Sequence, residues 1–230
     1  MTSPQAVSRT PPGVPGHQRL LQVVVAVAIV GGPLGYLLGG LLAPAIRGTG
    51  QANIAANAAA NAAVNAVHLA AFMVASFLLP IGAFGLARLA YPGSPWLATA
   101  GGLLGVVGWL PFSALAALDD LTATMAAPPD SGSYPVLLDR FSGDPVMATY
   151  LIIYIVGHLV AYVLLGLALL RAGVLPRWAA WSMIASSPVM IVAFVLGSSF
   201  PFTIRITGGI AVGLLVLGSL PAARQALGRQ

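Results

Sequence analysis

The sequence contains no cysteine, no lysine and no glutamate, and few charges of either sign. Without cysteine, the chain cannot form disulfides, thiolate metal sites or cysteine nucleophiles. Only 7% of the 230 residues are charged and 58% are hydrophobic, whereas a soluble domain carries roughly 25% charged residues. A chain with so little charge cannot cover one core with a water-facing surface. We therefore expect it to lie in a lipid bilayer.

The few charges argue against a nucleic-acid partner. The net charge is +5, but the ten arginines are scattered singly and form no basic stripe. The exclusive use of arginine and aspartate, together with the many alanines, is typical of a GC-rich bacterial genome. We therefore predict a bacterial inner-membrane protein whose first partner is the lipid bilayer.

Long apolar stretches dominate the rest of the chain. A helix needs about 20 apolar residues to cross a bilayer core about 30 Å thick. Six stretches are long enough: 20–46, 66–90, 96–118, 146–170, 178–200 and 203–222. They predict an all-α polytopic bundle of six transmembrane helices over 20–224, with an outer loop at 119–145, a disordered Pro/Gly-rich tail at 1–19 and a short tail at 225–230. The first stretch is longer than the apolar region of a signal peptide, about 7–15 residues, although Ala43 and Ala45 leave cleavage open.

The distribution of arginine predicts the orientation. With six spans, the segments on the side of the termini hold seven arginines, and the opposite segments hold three. Arginine is enriched in cytoplasmic segments, so we expect both termini in the cytoplasm. No charge lies at the centre of a span; Arg205, near the outer end of the sixth, comes closest. Ion-driven transporters usually carry carboxylates within their spans. The absence of such carboxylates here argues against an ion-driven transporter.

Glycines at every fourth position are candidates for helix packing. Lipid provides no hydrophobic force to bring helices together, so small residues that allow close backbone approach take that role. The spacing occurs in the first, third and sixth spans, at Gly31, Gly35, Gly39, Gly101, Gly105, Gly209 and Gly213. The same glycines leave open a homo-oligomer or a membrane partner protein.

An asparagine ladder precedes the second span. In NIAANAAANAAVNAVH, asparagine occupies positions 53, 57, 61 and 65, and His68 follows. Asparagine forms helices poorly and is costly in lipid. The stretch is therefore expected outside the membrane, as a helical approach to the second span. Only Asn65 and His68 lie close enough to the span to line a pocket.

A second ladder lies within the fourth span, where Tyr150, Tyr154, His158 and Tyr162 recur at the same spacing. Polar side chains in a bilayer need partners, so this stripe is expected to face the bundle interior. Together with Asn65, His68 and Arg205, it forms our candidate ligand-binding set. Two simpler interpretations stay open: a low-complexity asparagine repeat, and ordinary hydrogen bonding between helices.

No cofactor, metal site or catalytic set is expected. Two haem-ligating histidines must lie at the same depth. His68 enters its span by two residues and His158 by twelve, and a rise of about 1.5 Å per residue separates them by roughly 15 Å. Haem is therefore disfavoured. No serine has a histidine and an acid placed to activate it.

Two segments resemble a known group of proteins. GHLVAYVLLGLALLRAGVLPRWAAWSMIASSPVMIVAFV (157–195) is similar to the later helical hairpin of an uncharacterised, mostly actinobacterial family of multi-pass membrane proteins. GAFGLARLA (82–90) and the glycine-rich span after it are similar to the earlier hairpin. The resemblance covers about half of the chain. It implies about six inner-membrane helices and no established activity.

The sequence thus favours a non-enzymatic membrane component with a structural or ligand-sensing role. The alternative is a small-molecule transporter or permease, for which the two halves show only loose symmetry. A membrane enzyme or haem protein is the third hypothesis.

Overall fold

The computed structural model describes residues 15–44, 49–127, 133–197 and 201–228. Within these ranges the chain forms eight helices and no strand. Their bounds are α1 Gly16–Leu42, α2 Gly50–Ala58, α3 Ala62–Ala90, α4 Pro95–Ala126, α5 Tyr134–Ser142, α6 Pro145–Ala172, α7 Arg177–Gly197 and α8 Pro201–Gly228. Six of them, α1, α3, α4, α6, α7 and α8, are long and apolar enough to cross a membrane. The predicted all-α, six-span bundle is confirmed.

The six long helices form a closed ring. Each packs against the next one along the chain, and α8 packs against α1. Neighbours in the ring run antiparallel, so α1 begins and α8 ends at one end of the bundle. The short helices α2 and α5 lie together at the opposite end, where α2 also contacts α4. We call this the loop end; the arginine distribution predicts that it faces outward.

Most of the helices extend beyond one or both ends of the predicted spans, although α1 ends at Leu42, before the predicted end at 46. The predicted outer loop at 119–145 is largely helical, because α4 continues to Ala126 and α5 occupies Tyr134–Ser142. At the termini, α1 begins at Gly16 and α8 ends at Gly228, inside the predicted tails; residues 1–14 and 229–230 lie outside the described residues. The apolar stretch reports only the thickness of the bilayer core, and a helix continues past it wherever its backbone hydrogen bonds are satisfied.

The asparagine ladder is not one continuous approach helix. It breaks after Ala58, and Asn61 then caps α3 by accepting hydrogen bonds from the amides of Ala63 (3.0 Å) and Val64 (3.2 Å). Across the break, Asn65 Nδ2 donates to Asn57 Oδ1 at 3.3 Å. Asparagine competes for backbone hydrogen bonds and favours caps over helix interiors. The ladder is therefore split between α2 and the start of α3, and α2 packs against α4 and α5.

This cap gives a first prediction. Replacing Asn61 with alanine should destabilise the first turn of α3 by about 1 kcal/mol, because two amides lose their acceptor. Amide hydrogen exchange of residues 62–66 in detergent should become faster. Asn61→Asp, which keeps a capping oxygen, should exchange like the wild type. Equal protection in the alanine variant would show that Asn61 does not hold this helix end.

Glycines allow neighbouring helices of the ring to approach closely. At Gly35 an added Cβ would lie 3.0 Å from the Ala71 carbonyl oxygen, and at Gly82 it would lie 2.8 Å from that of Ala28. Gly213 differs from the other glycines predicted from the every-fourth spacing, since nothing described lies within 4 Å of its Cβ position. The every-fourth spacing therefore overestimates packing on α8. The closest approach there belongs instead to Gly218, which the spacing did not select and which packs on Ala179 and Met183 of α7.

Candidate ligand-binding cavity

A cavity of about 290 Å³ lies in the loop-end half of the ring. It is mostly apolar, and residues from all six spanning helices line it. One lining residue from each helix in turn illustrates this: Tyr36, Phe72, Asp119, Tyr154, Met190 and Arg205. Ligand pockets are typically apolar clefts of about 300–1,000 Å³ with a few polar groups that fix orientation. This cavity lies at the small end of that range.

Aromatic rings form one wall of the cavity and continue beneath it. The ring of Tyr36 lies 5.1 Å from that of Phe112 and 5.7 Å from that of Phe72. Phe112 also stacks on Tyr154 at 5.8 Å. Below them, Trp109 contacts Tyr36 edge-on at 5.3 Å. Edge-to-face and offset contacts at these separations are favourable for aromatic pairs, so this wall is preformed.

Hydrogen bonds hold the aromatic side chains in place. The hydroxyl oxygens of Tyr36 and Tyr154 are 2.5 Å apart, which ties α1 to α6 across the cavity floor. Trp109 Nε1 donates to the Tyr162 hydroxyl at 3.2 Å. His158 Nδ1 bonds to the carbonyl of Tyr154 in its own helix. Many of the polar atoms of these residues therefore form hydrogen bonds within the bundle, as polar groups in a membrane must.

Asp119 is the acidic group of the cavity. Its side chain is 45% exposed, and its Oδ2 lies 3.7 Å from Nε2 of the buried His68. His68 Nδ1 is 2.8 Å from the carbonyl oxygen of Gly39 and must donate to it, since a carbonyl only accepts. The Nε2 of His68 lies on the side of the carboxylate, at a distance too long for a hydrogen bond.

Arg205 is the basic group of the cavity. Its Nη2 donates to the carbonyl oxygens of Ala43 (2.6 Å) and Pro44 (3.0 Å), just beyond the end of α1. A cation at a helix C-terminus is also favoured by the helix dipole. These two bonds fix the guanidinium at the rim. Its remaining N–H groups have no partner among the described residues.

The sequence-selected candidates occupy five different places, three of them in or next to the cavity. Tyr154 and Arg205 line the cavity, and His68 lies behind it, against Phe72 at 4.6 Å. His158 and Tyr162 lie beneath Tyr36, beside a crevice of only about 20 Å³. Their other neighbours there include Ser186 and Ser187, whose hydroxyls donate to the Met183 and Leu159 carbonyls. The stripe on α6 thus splits by depth into a cavity residue and packed core residues.

The remaining two candidates lie outside the cavity. Tyr150 is exposed and lines a separate open groove between α4, α5 and α6. Asn65 bonds to Asn57, and its Oδ1 is buried without a partner among the described residues. In the part of the chain that the structure describes, no three His or Asp side chains come together as a metal site.

Sequence reasoning missed Tyr36, Phe72 and Phe112 as site residues, and it assigned Asp119 to a loop. Single aromatic residues within apolar spans carry no signal that separates a cavity wall from ordinary packing. Asp119 offered a weak signal, because it follows directly on the predicted third span. A carboxylate at that boundary lies within reach of the bundle interior if the helix continues, as α4 does.

Comparisons with protein-family models, with curated proteins and with solved structures give no significant match. The resemblance to an uncharacterised actinobacterial family accordingly stays a prediction. Any functional assignment for this multi-pass membrane protein rests on the geometry of its own cavity.

Proposed function

We propose that this protein is a ligand-sensing membrane component that binds a small molecule in the loop-end cavity. The observation that carries the proposal is a preformed cavity shared by all six spans, with a carboxylate and a guanidinium in an otherwise apolar lining. Charged groups in an apolar lining are costly to desolvate, and their place in a cleft is typical of a binding site. With the predicted orientation, a bacterial inner-membrane protein would receive this ligand from outside the cell.

The packing beneath the cavity supports binding and sensing over passage. The Tyr36–Tyr154 hydrogen bond and the buried Trp109 close the floor of the cavity. On the side of the floor away from the loop end, Gly108 of α4 and Gly157 of α6 are in backbone contact. A ligand entering at the loop end would therefore meet a packed core. Because the cavity touches every helix, its occupancy can change how the ring packs.

Two glycines on α8 provide a matched test. Gly208 lines the cavity, and both Gly208 and Gly213 have open space at the Cβ position. Gly208→Leu should fill the cavity and abolish binding, whereas Gly213→Leu should bind like the wild type. The measurement is native mass spectrometry of protein purified in mild detergent, followed by thermal shift with the small molecule found and with a panel of amines, amino acids and organic acids.

Three outcomes would contradict the proposal. The first is a wild-type protein that retains no small molecule and is stabilised by no member of the panel. The second is binding that survives Gly208→Leu undiminished. The third is uptake into proteoliposomes of a bound ligand, which would make the protein a permease. Gly208→Leu must show the same native mass and elution volume as Gly213→Leu, so that loss of binding is not loss of folding.

A further inference from the structure

The two charged residues of the cavity lie on opposite walls. The ring order is α1, α3, α4, α6, α7, α8, so α4 and α8 are three places apart in either direction. Asp119 belongs to α4 and Arg205 to α8, and both line the cavity. No ion pair joins them: among the described residues, the one close contact between a carboxylate and a basic side chain is that of Asp119 with His68. The cavity therefore separates an anion from a cation.

The wall around Asp119 suits an ammonium group. Asp119 Oδ2 faces His68, and Oδ1 has no hydrogen-bond partner among the described residues. The rings of Phe72 and Phe112 lie on the neighbouring lining, 5.0 Å apart. Aromatic faces attract cations, by about 0.5–2 kcal/mol according to how dry the site is. A carboxylate among aromatic rings is thus a site for an organic amine.

The opposite wall suits a carboxylate or another small anion. Nη2 of Arg205 is occupied by two carbonyls, which leaves Nε and Nη1 as donors with no partner among the described residues. Beside it, Gly208 and Gly209 line the cavity without side chains. The Cβ position of Gly208 has no atom within 4 Å. An anionic group can therefore reach the guanidinium over bare backbone.

From these two walls we infer that the ligand is a small zwitterion, such as an amino acid or a betaine, with its cationic group on Asp119 and its anionic group on Arg205. This inference rests on the proposed function and specifies the ligand class of the same cavity. A ligand with one charge would leave the opposite wall desolvated and unpaired, which is costly in a low-dielectric site. A zwitterion matches both charges and stays neutral overall.

Three probes with the same apolar body test the inference. They are phenylalanine (zwitterion), phenethylamine (cation only) and 3-phenylpropionate (anion only), titrated calorimetrically into the full-length protein in nanodiscs at neutral pH. Phenylalanine, or an aliphatic amino acid compared with its own amine and acid, should bind at least about 10-fold more tightly than either singly charged analogue. Asp119→Asn should weaken zwitterion binding by about 10-fold or more while sparing the anion.

The arginine wall has its own variant. Arg205→Gln removes the charge and keeps a polar side chain with an N–H donor at about the position of the arginine Nε. It should weaken zwitterion binding by about 10-fold or more and leave the binding of the amine unchanged. Together the two variants assign one ligand group to each wall, which a purely structural role of either residue would not produce.

The inference and the proposed function fail in different ways. A singly charged probe that binds as tightly as its zwitterion, and is lost in Gly208→Leu, overturns the zwitterion and leaves the binding function intact. A co-purified ligand with one charge, or none, has the same meaning. If no probe binds and no molecule co-purifies, both are overturned.

Discussion

Trp109→Ala should destabilise the folded protein by about 3–5 kcal/mol, the cost of truncating a large aromatic residue in a packed core. Only 1% of the Trp109 surface is exposed. Its ring contacts Tyr36, Phe112, Tyr154 and His158 at centroid distances of 4.6–5.7 Å. Neither lipid nor water fills such a void in full, so the lost contacts are not replaced. Reversible unfolding in mixed detergent micelles measures the loss.

Two variants separate packing from hydrogen bonding. Trp109→Phe keeps most of the ring contacts and removes the hydrogen bond from Nε1 to Tyr162. Loss of that bond should cost about 1 kcal/mol, and the smaller ring should add a lesser cost by leaving part of the space empty. Trp96→Ala removes an indole that is 87% exposed and should change stability by no more than about 0.5 kcal/mol. A Trp109→Ala protein as stable as Trp96→Ala would show that the aromatic cluster does not hold the ring together.

Gly108→Ala should destabilise the contact between α4 and α6 by about 1–3 kcal/mol, through overpacking of one methyl group. The added Cβ would lie 2.9 Å from Gly157 Cα and would also meet the backbone nitrogen of His158. Backbone atoms cannot turn aside as a flexible side chain can, so the two helices must separate. Because the ring of His158 lies 4.6 Å from that of Trp109, this separation should also disturb the cavity floor.

The control for this change is Gly213→Ala, which adds the same methyl group to α8 where nothing described lies within 4 Å. Its stability should stay within about 0.5 kcal/mol of the wild type. Unfolding curves of the two variants and the wild type in one detergent make the comparison. If both alanine variants unfold together, α4 and α6 do not approach as closely as Gly108 and Gly157 require.

Part of the site was predictable from the order of residues, and part was not. The α6 stripe predicted an inward polar face, and three of its members, Tyr154, His158 and Tyr162, are buried. The spacing does not indicate how deep in the bundle each residue lies. It could therefore not distinguish Tyr154, which lines the cavity, from His158 and Tyr162 below it. The fourth member, Tyr150, shares the spacing but lies near the start of α6, where it lines the outer groove and is exposed.

The asparagine ladder shows the same limit. Its composition excluded a spanning segment, since four carboxamides in lipid would lack partners. The segment would continue as one helix only if the first amides of α3 donated to the carbonyls of the preceding turn instead of to a side-chain acceptor. Asn61 supplies that acceptor, and the carboxyl group of Asp139 on α5 receives the Gly50 amide of α2 at 2.7 Å. The latter contact joins residues 89 positions apart, which no local pattern reveals.

The sequence by itself determined that this protein is a six-helix membrane bundle, because apolar length and scarcity of charge leave the bilayer as the only solvent for most of its surface. Tertiary structure alone decided where the chemistry lies. Ring closure between α8 and α1 and the continuation of α4 past its apolar stretch place Asp119 and Arg205 on opposite sides of one cavity. The physical reason is that the two properties depend on interactions over different distances along the chain. Hydrophobicity acts on each segment separately, whereas a binding site requires side chains from distant helices at one depth.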